Sequence, residues 1–497
     1  MIKSRRKKTD NDITTDIMDS DKKDPRFFST SSKRLAVTII CMAGAMGGFS
    51  NTVYYPGIPD VSAALQASSI AISLSNGLYI LFLGISPIIW GALSDYYKIR
   101  QPLIFISMII YALSSIACVF TYNIWVLVLF RIFQAVGTSS SMAIGGGVLC
   151  DIYDTEKRGR ASAIFFFGRY IGPIVGPILG GFLVTSDLKW RTPFIFCFSI
   201  GSLIVFITFF WMPETYRDCG YFDTVKIHEV VVAKNNNDSM MYRTVVEKDT
   251  DSLKMSHDQQ RMEEKRQPFN LLRPLLLLQY PNILIASLVG AIAFGSLFAF
   301  ELIIPLLYKQ IYEFNGLQIG FCYIGAGVGH ILGAITNGYL SDKLLLRARK
   351  KRGGKHNIDD RISANLWPCC LILMPLGSLL FGWGVEYEMP YWVGILGFGV
   401  QTYATSQLYS GSSAYLLDSM PHHGASIAAA GNFVSMTFAF LLGLVSVPIL
   451  ESTGPGYLSI LLASLGWIAA GLLLINKVYG HQIRQHFDIE LDDKLEK

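Results

Sequence analysis

Long apolar segments separated by shorter polar ones fill the chain from residue 35 to residue 477. Each apolar segment approaches the roughly 20 residues that an α-helix needs to cross the hydrocarbon core of a bilayer. Because lipid offers the backbone no hydrogen-bond partner, every crossing is expected to be helical. The pattern therefore predicts an all-α membrane protein with twelve spans, near residues 35–57, 73–94, 102–120, 124–149, 161–184, 192–212, 283–306, 317–341, 366–384, 391–414, 425–448 and 456–477.

The two polar ends of the chain and its longest internal polar segment define five regions. The longest segment lies between spans six and seven and is expected to be a cytosolic, partly disordered loop with a short surface helix near residues 270–275. It separates two groups of six spans, which predicts two pseudo-symmetric six-helix bundles. The predicted organisation is a disordered cytosolic N-terminal tail at 1–34, an N-terminal bundle at 35–212, the central loop at 213–282, a C-terminal bundle at 283–477 and a cytosolic C-terminal tail at 478–497.

The composition supports a membrane protein and argues against several other classes. Of the 497 residues, 51% are hydrophobic and 16% are charged, whereas soluble domains carry about 25% charged residues. The eight cysteines lie mostly within apolar segments and show no C-x-x-C spacing, which indicates core residues rather than a disulfide framework or a metal site. We expect neither a metal nor a cofactor, and no nucleic-acid partner.

Lysine and arginine are distributed unevenly among the polar segments. They are dense in the N-terminal tail, after span two, near residues 157–160 and at residues 343–361, and they are absent from residues 58–72. Because basic loops stay on the cytosolic side, both termini are predicted to be cytosolic. The polar first 34 residues contain no secretory signal, so the first span is expected to direct insertion. We expect a multi-pass protein of the plasma membrane.

One short motif occurs twice, half a chain apart. Gly91–Asp95, with the sequence G-A-L-S-D, ends span two and is followed by Lys98 and Arg100. Gly338–Asp342, with the sequence G-Y-L-S-D, ends span eight and is likewise followed by basic residues. The repetition indicates duplication of a six-helix unit, and duplicated halves are how many transporters build a central site that opens to either side.

A second pair of matching positions supports the same duplication. Asp151 precedes Arg160-Ala161-Ser162 after span four, as Asp418 precedes Gly424-Ala425-Ser426 after span ten. We expect Asp151 and Asp418 to act as gate or capping groups on the cytosolic side, with Arg160 in the same conformational motif.

The loop motif after span two resembles one that is typical of the major facilitator superfamily. Its usual form there is G-x-L-x-D-R-x-G-R-K, whereas Tyr96 stands here where arginine is common and Lys98 where glycine is common. The carboxylate of Asp95 is expected to lie against the N-terminus of a neighbouring helix, where the macrodipole stabilises it. Such a contact would latch one conformation on the cytosolic side.

Three further segments resemble the fungal twelve-span drug:H⁺ antiporter group of that superfamily, so the resemblance covers residues 35–477. Span four holds Arg131 and Gln134 in a segment similar to the family's motif around an embedded arginine. Because a guanidinium keeps its proton at ordinary pH, Arg131 is expected to hold a carboxylate ionised or to bind an anionic substrate group. Pro213–Arg217 resembles the P-E-T-x-R ending of span six.

Span five resembles the antiporter motif G-x-x-x-G-P-x-x-G-G of drug exporters. Its glycines recur every four residues, so one face of the helix permits the close approach of another helix, and its prolines remove backbone donors and bend the helix. The residues of this motif are Gly172, Pro173, Gly176, Pro177 and Gly180. Arg169 and Tyr170, just before it, are expected to face a central cavity.

Proton coupling requires a group that can exchange a proton with each side of the membrane, and the predicted spans offer few. Glu301 in span seven and His330 in span eight are the candidates. Glu301 could equally be a residue of the outer mouth, and His330 could simply hydrogen-bond across helices. Amide and aromatic side chains suited to a cavity for bulky amphiphilic compounds are Asn51, Tyr55, Gln134, Tyr170, Gln401, Gln407 and Asn432.

The resemblance implies a proton-coupled antiporter that exports small organic molecules or drugs across the plasma membrane by alternating access. The alternative within this class is export of organic anions such as citrate-like di- and tricarboxylates, bound by Arg131 and Arg169. A non-transporting membrane sensor on a transporter scaffold is less favoured, because the C-terminal tail is short. No H-E-x-x-H, G-x-S-x-G or Walker-type motif indicates an enzyme or an ATP-driven pump. The expected partners are a small-molecule substrate, protons and the lipid bilayer, with the protein a monomer.

Overall fold

The computed structural model describes residues 24–153, 155–217, 273–351, 353, 362, 365–420 and 424–486. The side chains of residues 155–160, 162–164, 166–171, 273, 342, 351, 425 and 486 lie outside this description. Helices dominate the described chain, and no strand occurs in it.

Twelve long α-helices of the described chain match the twelve predicted spans in order. They are α1 (Thr30–Thr52), α2 (Ser69–Tyr97), α3 (Gln101–Val119), α4 (Ile124–Ile152), α5 (Thr155–Val184), α6 (Thr192–Trp211), α7 (Pro281–Ile311), α8 (Ile324–Lys351), α9 (Met374–Glu386), α10 (Trp392–Ser419), α11 (Gly424–Thr453) and α12 (Pro455–His486). Shorter helices lie at Pro25–Phe27, Tyr55–Gly57, Ile58–Leu65, Lys189–Arg191, Arg273–Leu276, Leu277–Gln279, Gly316–Cys322 and Leu366–Pro368, and the π-helical turn Cys369–Leu373 leads into α9. The helices α1 and α12 extend past the predicted limits of 35 and 477.

Ten helical segments of the described chain are long and apolar enough to cross a membrane by length and composition. The other two predicted spans correspond to α5, in which Gly172–Val184 forms a shorter apolar stretch, and to α10. Helix α10 is less apolar because it carries residues such as Gln401, Thr405 and Gln407, whose side chains are buried in the protein. Polar groups at membrane depth are tolerated where they face protein instead of lipid.

The two halves of the protein pack in the same way. In the N-terminal half, α1 packs on α5, α2 on α4, and α3 on both α4 and α6. Six helices later the same pairs recur, since α7 packs on α11, α8 on α10, and α9 on both α10 and α12. This confirms the two pseudo-symmetric six-helix bundles, and it agrees with the duplication that the repeated G-x-L-S-D motif predicted.

The glycines of α5 form the face that packs on α1. A Cβ atom on Gly172 would meet the carbonyl oxygen of Ala45, and one on Gly180 would meet that of Val53. Gly176 faces the same helix. The predicted close approach is therefore confirmed, and α5 continues unbroken past both prolines of its motif.

We call the side of the protein at which α1 begins and α12 ends the terminal side, and the other the opposite side. The bundles meet mainly on the opposite side, where α2 packs on α11 and α5 packs on the short helix Gly316–Cys322. Ser69 at the start of α2 donates a hydrogen bond to Glu451 at the end of α11. A Cβ atom on Gly181 would meet the carbonyl oxygen of Gly316. These contacts close the space between the bundles on the opposite side.

Candidate functional site

A cavity of about 1160 Å³, which includes solvent at its mouth, lies between the two bundles. Four helices of the N-terminal bundle surround it (α1, α2, α4 and α5), together with four of the C-terminal bundle (α7, α8, α10 and α11). The polar and titratable residues that line the cavity are Asn51, Thr52, Glu301, Tyr323, His330, Thr402, Thr405, Ser406 and Tyr409.

Most of the remaining lining is apolar, and its charges are few. Among the described side chains that line the cavity there is no lysine or arginine, one carboxylate, Glu301, and one imidazole, His330. The hydroxyl of Ser406 donates to the backbone oxygen of His330 at 3.1 Å, which joins α10 to α8. The cavity therefore combines aromatic, thioether and hydroxyl groups around a single acid.

Glu301 connects the cavity wall of the C-terminal bundle to the N-terminal bundle. Tyr55, in the short turn after α1, donates a hydrogen bond from its hydroxyl to Glu301 Oε2 at 3.5 Å. The Tyr55 ring stacks on that of Tyr323 with their centroids 6.1 Å apart, and the Tyr323 hydroxyl donates to the Glu301 backbone oxygen at 2.6 Å. The sequence left open whether Glu301 lies in the cavity or at the outer mouth, and the structure places it in the cavity wall.

Arg131 is fully buried in α4 and does not line the cavity. Its guanidinium carbon lies 4.4 Å from the ring centre of Tyr54 and 4.6 Å from that of Tyr79, so it makes two cation–π contacts. Its Nη2 atom donates to Oδ1 of Asn51 and of Asn76, each at 3.3 Å. No carboxylate among the described residues forms an ion pair with Arg131. It therefore contacts neither a carboxylate nor the cavity directly, because Asn51 lies between.

Four of the amides expected to line the cavity lie elsewhere in the bundles. Gln134 donates a hydrogen bond to Ser115 at 2.9 Å, and Gln407 is hydrogen-bonded inside the C-terminal bundle. Gln401 is buried where α10 meets α9, and Asn432 lies where α11 meets α2. The physical reason is that the sequence places a polar residue within an apolar span, and so at membrane depth. It does not tell which face of the helix is turned towards the cavity.

Several residues of the predicted site belong to the part that the structure does not describe. The side chains concerned are those of Arg160, Arg169, Tyr170 and Asp342. Helix α5 reaches the cavity through Pro173 and Ile174. On the terminal side, Gly338 borders open space and Asp418 is half-buried near the end of α10.

Arg100, on the terminal side, joins three of the sequence signatures. Its Nη1 atom lies 2.9 Å from Asp95 Oδ1, and its Nε atom lies 3.1 Å from Asp151 Oδ2. The backbone N–H of Arg100, at the start of α3, donates to Glu214 Oε1 at 3.0 Å. The Tyr216 ring packs against the guanidinium at 5.2 Å. This cluster holds the terminal ends of α2, α3, α4 and α6 together.

The carboxylate at the N-terminus of α3 is that of Glu214, whereas that of Asp95 pairs with a side chain. The side chain of Asp95 is 73% exposed and pairs with the Arg100 guanidinium, whereas Glu214 accepts an N–H group at the start of α3. Glu214 is distant in sequence from the helix that it caps, so the loop motif alone does not indicate it. Its place in the P-E-T-x-R segment was the signal that could have indicated it.

A buried ion pair fastens the residues before α1 to those after α6. Arg217 Nε lies 3.1 Å from Oδ1 and 3.3 Å from Oδ2 of Asp24, and the two side chains are 0% and 2% exposed. Residue 24 falls in the segment that was expected to be a disordered tail. The described part of that segment is instead packed against the N-terminal bundle.

Two homologous six-helix bundles around a shared cavity define the architecture of a membrane transporter. The family model for the Major Facilitator Superfamily matches residues 40–444. The chain therefore belongs to the Major Facilitator Superfamily, and it is a transporter and not an enzyme.

The relatives in this family include fungal transporters of low identity. The chain is 28% identical to the MFS transporter fsa7 of a Fusarium species, over 95% of this chain and 89% of that protein. It is 25% identical to the MFS antiporter QDR3 of Candida albicans, over 94% of this chain and 80% of that protein. It is also 25% identical to Citrate exporter 1 of Aspergillus niger, over 94% and 90% respectively. These similarities support the fungal drug-antiporter-like group that the motifs indicated.

Solved structures confirm the fold. A D-xylose–proton symporter superposes with a TM-score of 0.64 at 14% identity, over 88% of this chain and 96% of that one. A bacterial homologue of the human lysosomal transporter Spinster gives a TM-score of 0.60 at 15% identity, over 90% and 98%.

Proposed function

We propose that this transporter is a proton-coupled antiporter that exports small amphipathic organic molecules from the cytosol across the plasma membrane. The two bundles rock about the central cavity, so that it opens to one side at a time. The terminal side, which carries the basic segments, is the cytosolic side. We take the transporter to work as a monomer, because both bundles that surround the cavity belong to the same chain.

The observation that carries this proposal is the position of Glu301 in the cavity wall. This residue is the single carboxylate among the described side chains of the cavity lining, and ionisable residues inside a membrane mark proton or substrate pathways. A carboxylate binds either a proton or a cationic group, so it can exchange one for the other. Glu301 takes up a proton when the cavity faces the exterior and releases it when the cavity faces the cytosol. His330 offers a second titratable group in the same cavity.

The lining favours drugs and other amphiphiles over organic anions. Phe294 and Phe298 offer aromatic faces, and Met436 offers an adaptable thioether, which suits bulky and varied cargo. Aromatic faces also attract cations. The described lining contains no lysine or arginine side chain, and Arg131 lies behind Asn51. The relative named as an antiporter, QDR3, supports the same class.

Export of organic anions is the second candidate, because Arg131 is only one side chain away from the cavity. A rotation of Asn51 would expose the guanidinium to a carboxylate substrate, and Citrate exporter 1 is among the relatives. The two candidates make different demands. Anion export requires Arg131 at the cargo, whereas amphiphile export driven by protons requires Glu301.

Transport into proteoliposomes with an imposed pH gradient separates the two candidates. The flux of tetraphenylphosphonium, a lipophilic cation, is compared with that of citrate. The variants are Glu301→Gln, Arg131→Ala and the control Glu388→Gln, which changes an exposed carboxylate in the turn between α9 and α10. We expect the wild type and the control to accumulate the cation and Glu301→Gln to lose pH-driven accumulation.

Two outcomes would count against the proposal. Unchanged pH-driven accumulation by a correctly inserted Glu301→Gln protein would remove Glu301 as the proton carrier. Citrate flux that requires Arg131 but not Glu301 would replace the proposal with organic-anion export. Elution of each variant as a single species in size-exclusion chromatography controls for folding.

A further inference from the structure

A chain of hydrogen bonds leads from the interior of one bundle to the cavity wall of the other. Arg131 donates to Asn51 Oδ1 at 3.3 Å. Asn51 Nδ2 then donates to the Tyr55 hydroxyl oxygen at 2.5 Å, and Tyr55 donates to Glu301 Oε2 at 3.5 Å. We call these four residues the polar bridge. The first three belong to the N-terminal bundle and Glu301 to the C-terminal bundle, so the bridge crosses the interface.

We propose that the polar bridge holds the cavity closed on the opposite side while Glu301 is ionised and the cavity is empty. This rests on the proposed function, in which Glu301 carries the proton. Asn51 and Tyr55 are positioning residues in this account, because they act through Glu301 and do not exchange the transported proton themselves.

The donors and acceptors along the bridge fit an ionised Glu301. A guanidinium can only donate, so the amide oxygen of Asn51 faces Arg131 and its NH₂ group faces Tyr55. The Tyr55 oxygen accepts that N–H, and its own O–H points towards Glu301, which as a carboxylate can only accept. Every donor thus meets an acceptor, and the bond from Tyr55 to Glu301, which is long at 3.5 Å, ends on a negative charge.

Protonation of Glu301 weakens the bridge. A carboxylic acid offers the Tyr55 hydroxyl no negative charge, and its own O–H competes for the Tyr55 oxygen that already accepts from Asn51. A cationic cargo that binds Glu301 displaces Tyr55 from the carboxylate in a similar way. The bridge is therefore strongest in one state of the transporter, in which Glu301 is ionised and empty.

The surroundings of Glu301 make this contact sensitive to its charge. Tyr55 is fully buried, and hydrogen bonds to a charge are stronger in such a dry environment than in water. Among the described side chains, the other titratable groups around Glu301 are Tyr323, whose hydroxyl bonds to the Glu301 backbone oxygen, and His330 of the same cavity. Arg131 lies beyond Asn51 and is the charged group at the far end of the bridge.

This arrangement gives the polar bridge a role in coupling. An exporter leaks protons if its empty, ionised form returns to the outward-facing state without cargo. The bridge joins the two bundles on the side that must open for that return, so it opposes the step. The opening becomes easy only after cargo or a proton occupies Glu301.

The test is the leak of protons into proteoliposomes without cargo, read by a pH-sensitive dye trapped inside. Tyr55→Phe removes only the hydroxyl that joins Asn51 to Glu301. We expect this variant to raise the cargo-free proton flux about tenfold or more, as the loss of one hydrogen bond to a charged group implies. Exchange of tetraphenylphosphonium at equal pH should persist. The matched control is Tyr308→Phe, which removes a hydroxyl that bonds to the Tyr391 backbone oxygen.

The double variant Tyr55→Phe/Glu301→Gln identifies the path of the leak. If the proton leak disappears in the double variant, the leak passes through Glu301, as the polar bridge requires. A leak that persists unchanged would be a general defect and would overturn the bridge, as would a Tyr55→Phe protein coupled as tightly as the wild type. Neither result affects the proposed function, which is tested separately by Glu301→Gln alone and by the comparison with citrate.

Discussion

Replacement of Asp24 by alanine should destabilise the N-terminal bundle, because it removes the carboxylate paired with a buried guanidinium. The side chains of Arg217 and Asp24 are 0% and 2% exposed. Breaking a buried ion pair by removing one partner costs about 3–5 kcal/mol, whereas an exposed pair contributes about 0–1 kcal/mol. We therefore expect Asp24→Ala to lower the free energy of unfolding by about 3 kcal/mol or more.

Asp95→Ala is the matched comparison for this prediction. Asp95 also pairs with an arginine, Arg100, but its side chain is 73% exposed and Arg100 keeps its bond to Asp151. The expected loss is below about 1 kcal/mol. Reversible unfolding in detergent, followed by tryptophan fluorescence, measures both variants. An Asp24→Ala protein no less stable than Asp95→Ala would show that the reasoning from burial is wrong.

The variant Arg217→Ala and the double variant complete a thermodynamic cycle. Removal of both partners leaves neither charge of the pair uncompensated, so the double variant should lose less stability than the two single losses summed. The cycle cancels the contacts that each residue makes with other groups. Strictly additive losses would mean that Asp24 and Arg217 do not interact energetically, and the ion pair would then have no role in fastening the segment before α1.

Three further predictions concern packing and the embedded arginine. Gly320→Leu should force the bundles apart on the opposite side, because a Cβ there already meets a carbonyl oxygen of α5. The labelling of a cysteine introduced on that side measures this, with Gly471→Leu, which has nothing within 4 Å, as the control. Gly176→Leu should reduce the yield of folded protein, because this glycine faces α1; chromatography of the expressed protein measures it against Gly146→Leu, which has nothing within 4 Å. Arg131→Ala should abolish transport, because Arg131 holds Asn51 of the cavity wall. It should leave folding intact, because no carboxylate of the described chain loses an ion pair. Proteoliposome flux measures this, and full activity of a correctly inserted variant would contradict it.

The twelve helices were predictable because length and apolarity are local properties of each segment. The ends of the helices were less predictable. Helix α1 begins at Thr30 and α12 ends at His486, beyond the predicted limits of 35 and 477. Hydropathy marks only the part of a helix that lies in lipid, and a helix can continue past the bilayer with polar residues. The glycine face of α5 was also predictable, since a repeat of small residues directly indicates a close contact.

The cavity-facing side chains were only partly predictable. Asn51 and Glu301 line the cavity, whereas Gln134 and Gln401 are buried between helices of one bundle, although all four are polar residues in apolar spans. The rotation of each helix about its axis is set by partners that are distant in sequence. Arg131 shows how fine the difference is, since the single side chain of Asn51 separates it from the cavity.

Glu301 and Arg131 belong to different bundles, and this division bears on the proposed coupling. A proton can shift the balance between two conformations only if they bind it with different affinities. Two groups within one rigid bundle would keep their separation as the bundles rock, and proton binding would then favour neither conformation through them. Because the polar bridge crosses the interface, the rocking motion would change the surroundings of the Glu301 carboxylate. By reciprocity, proton binding would change the balance between the conformations, and a single carboxylate in the cavity would suffice for this.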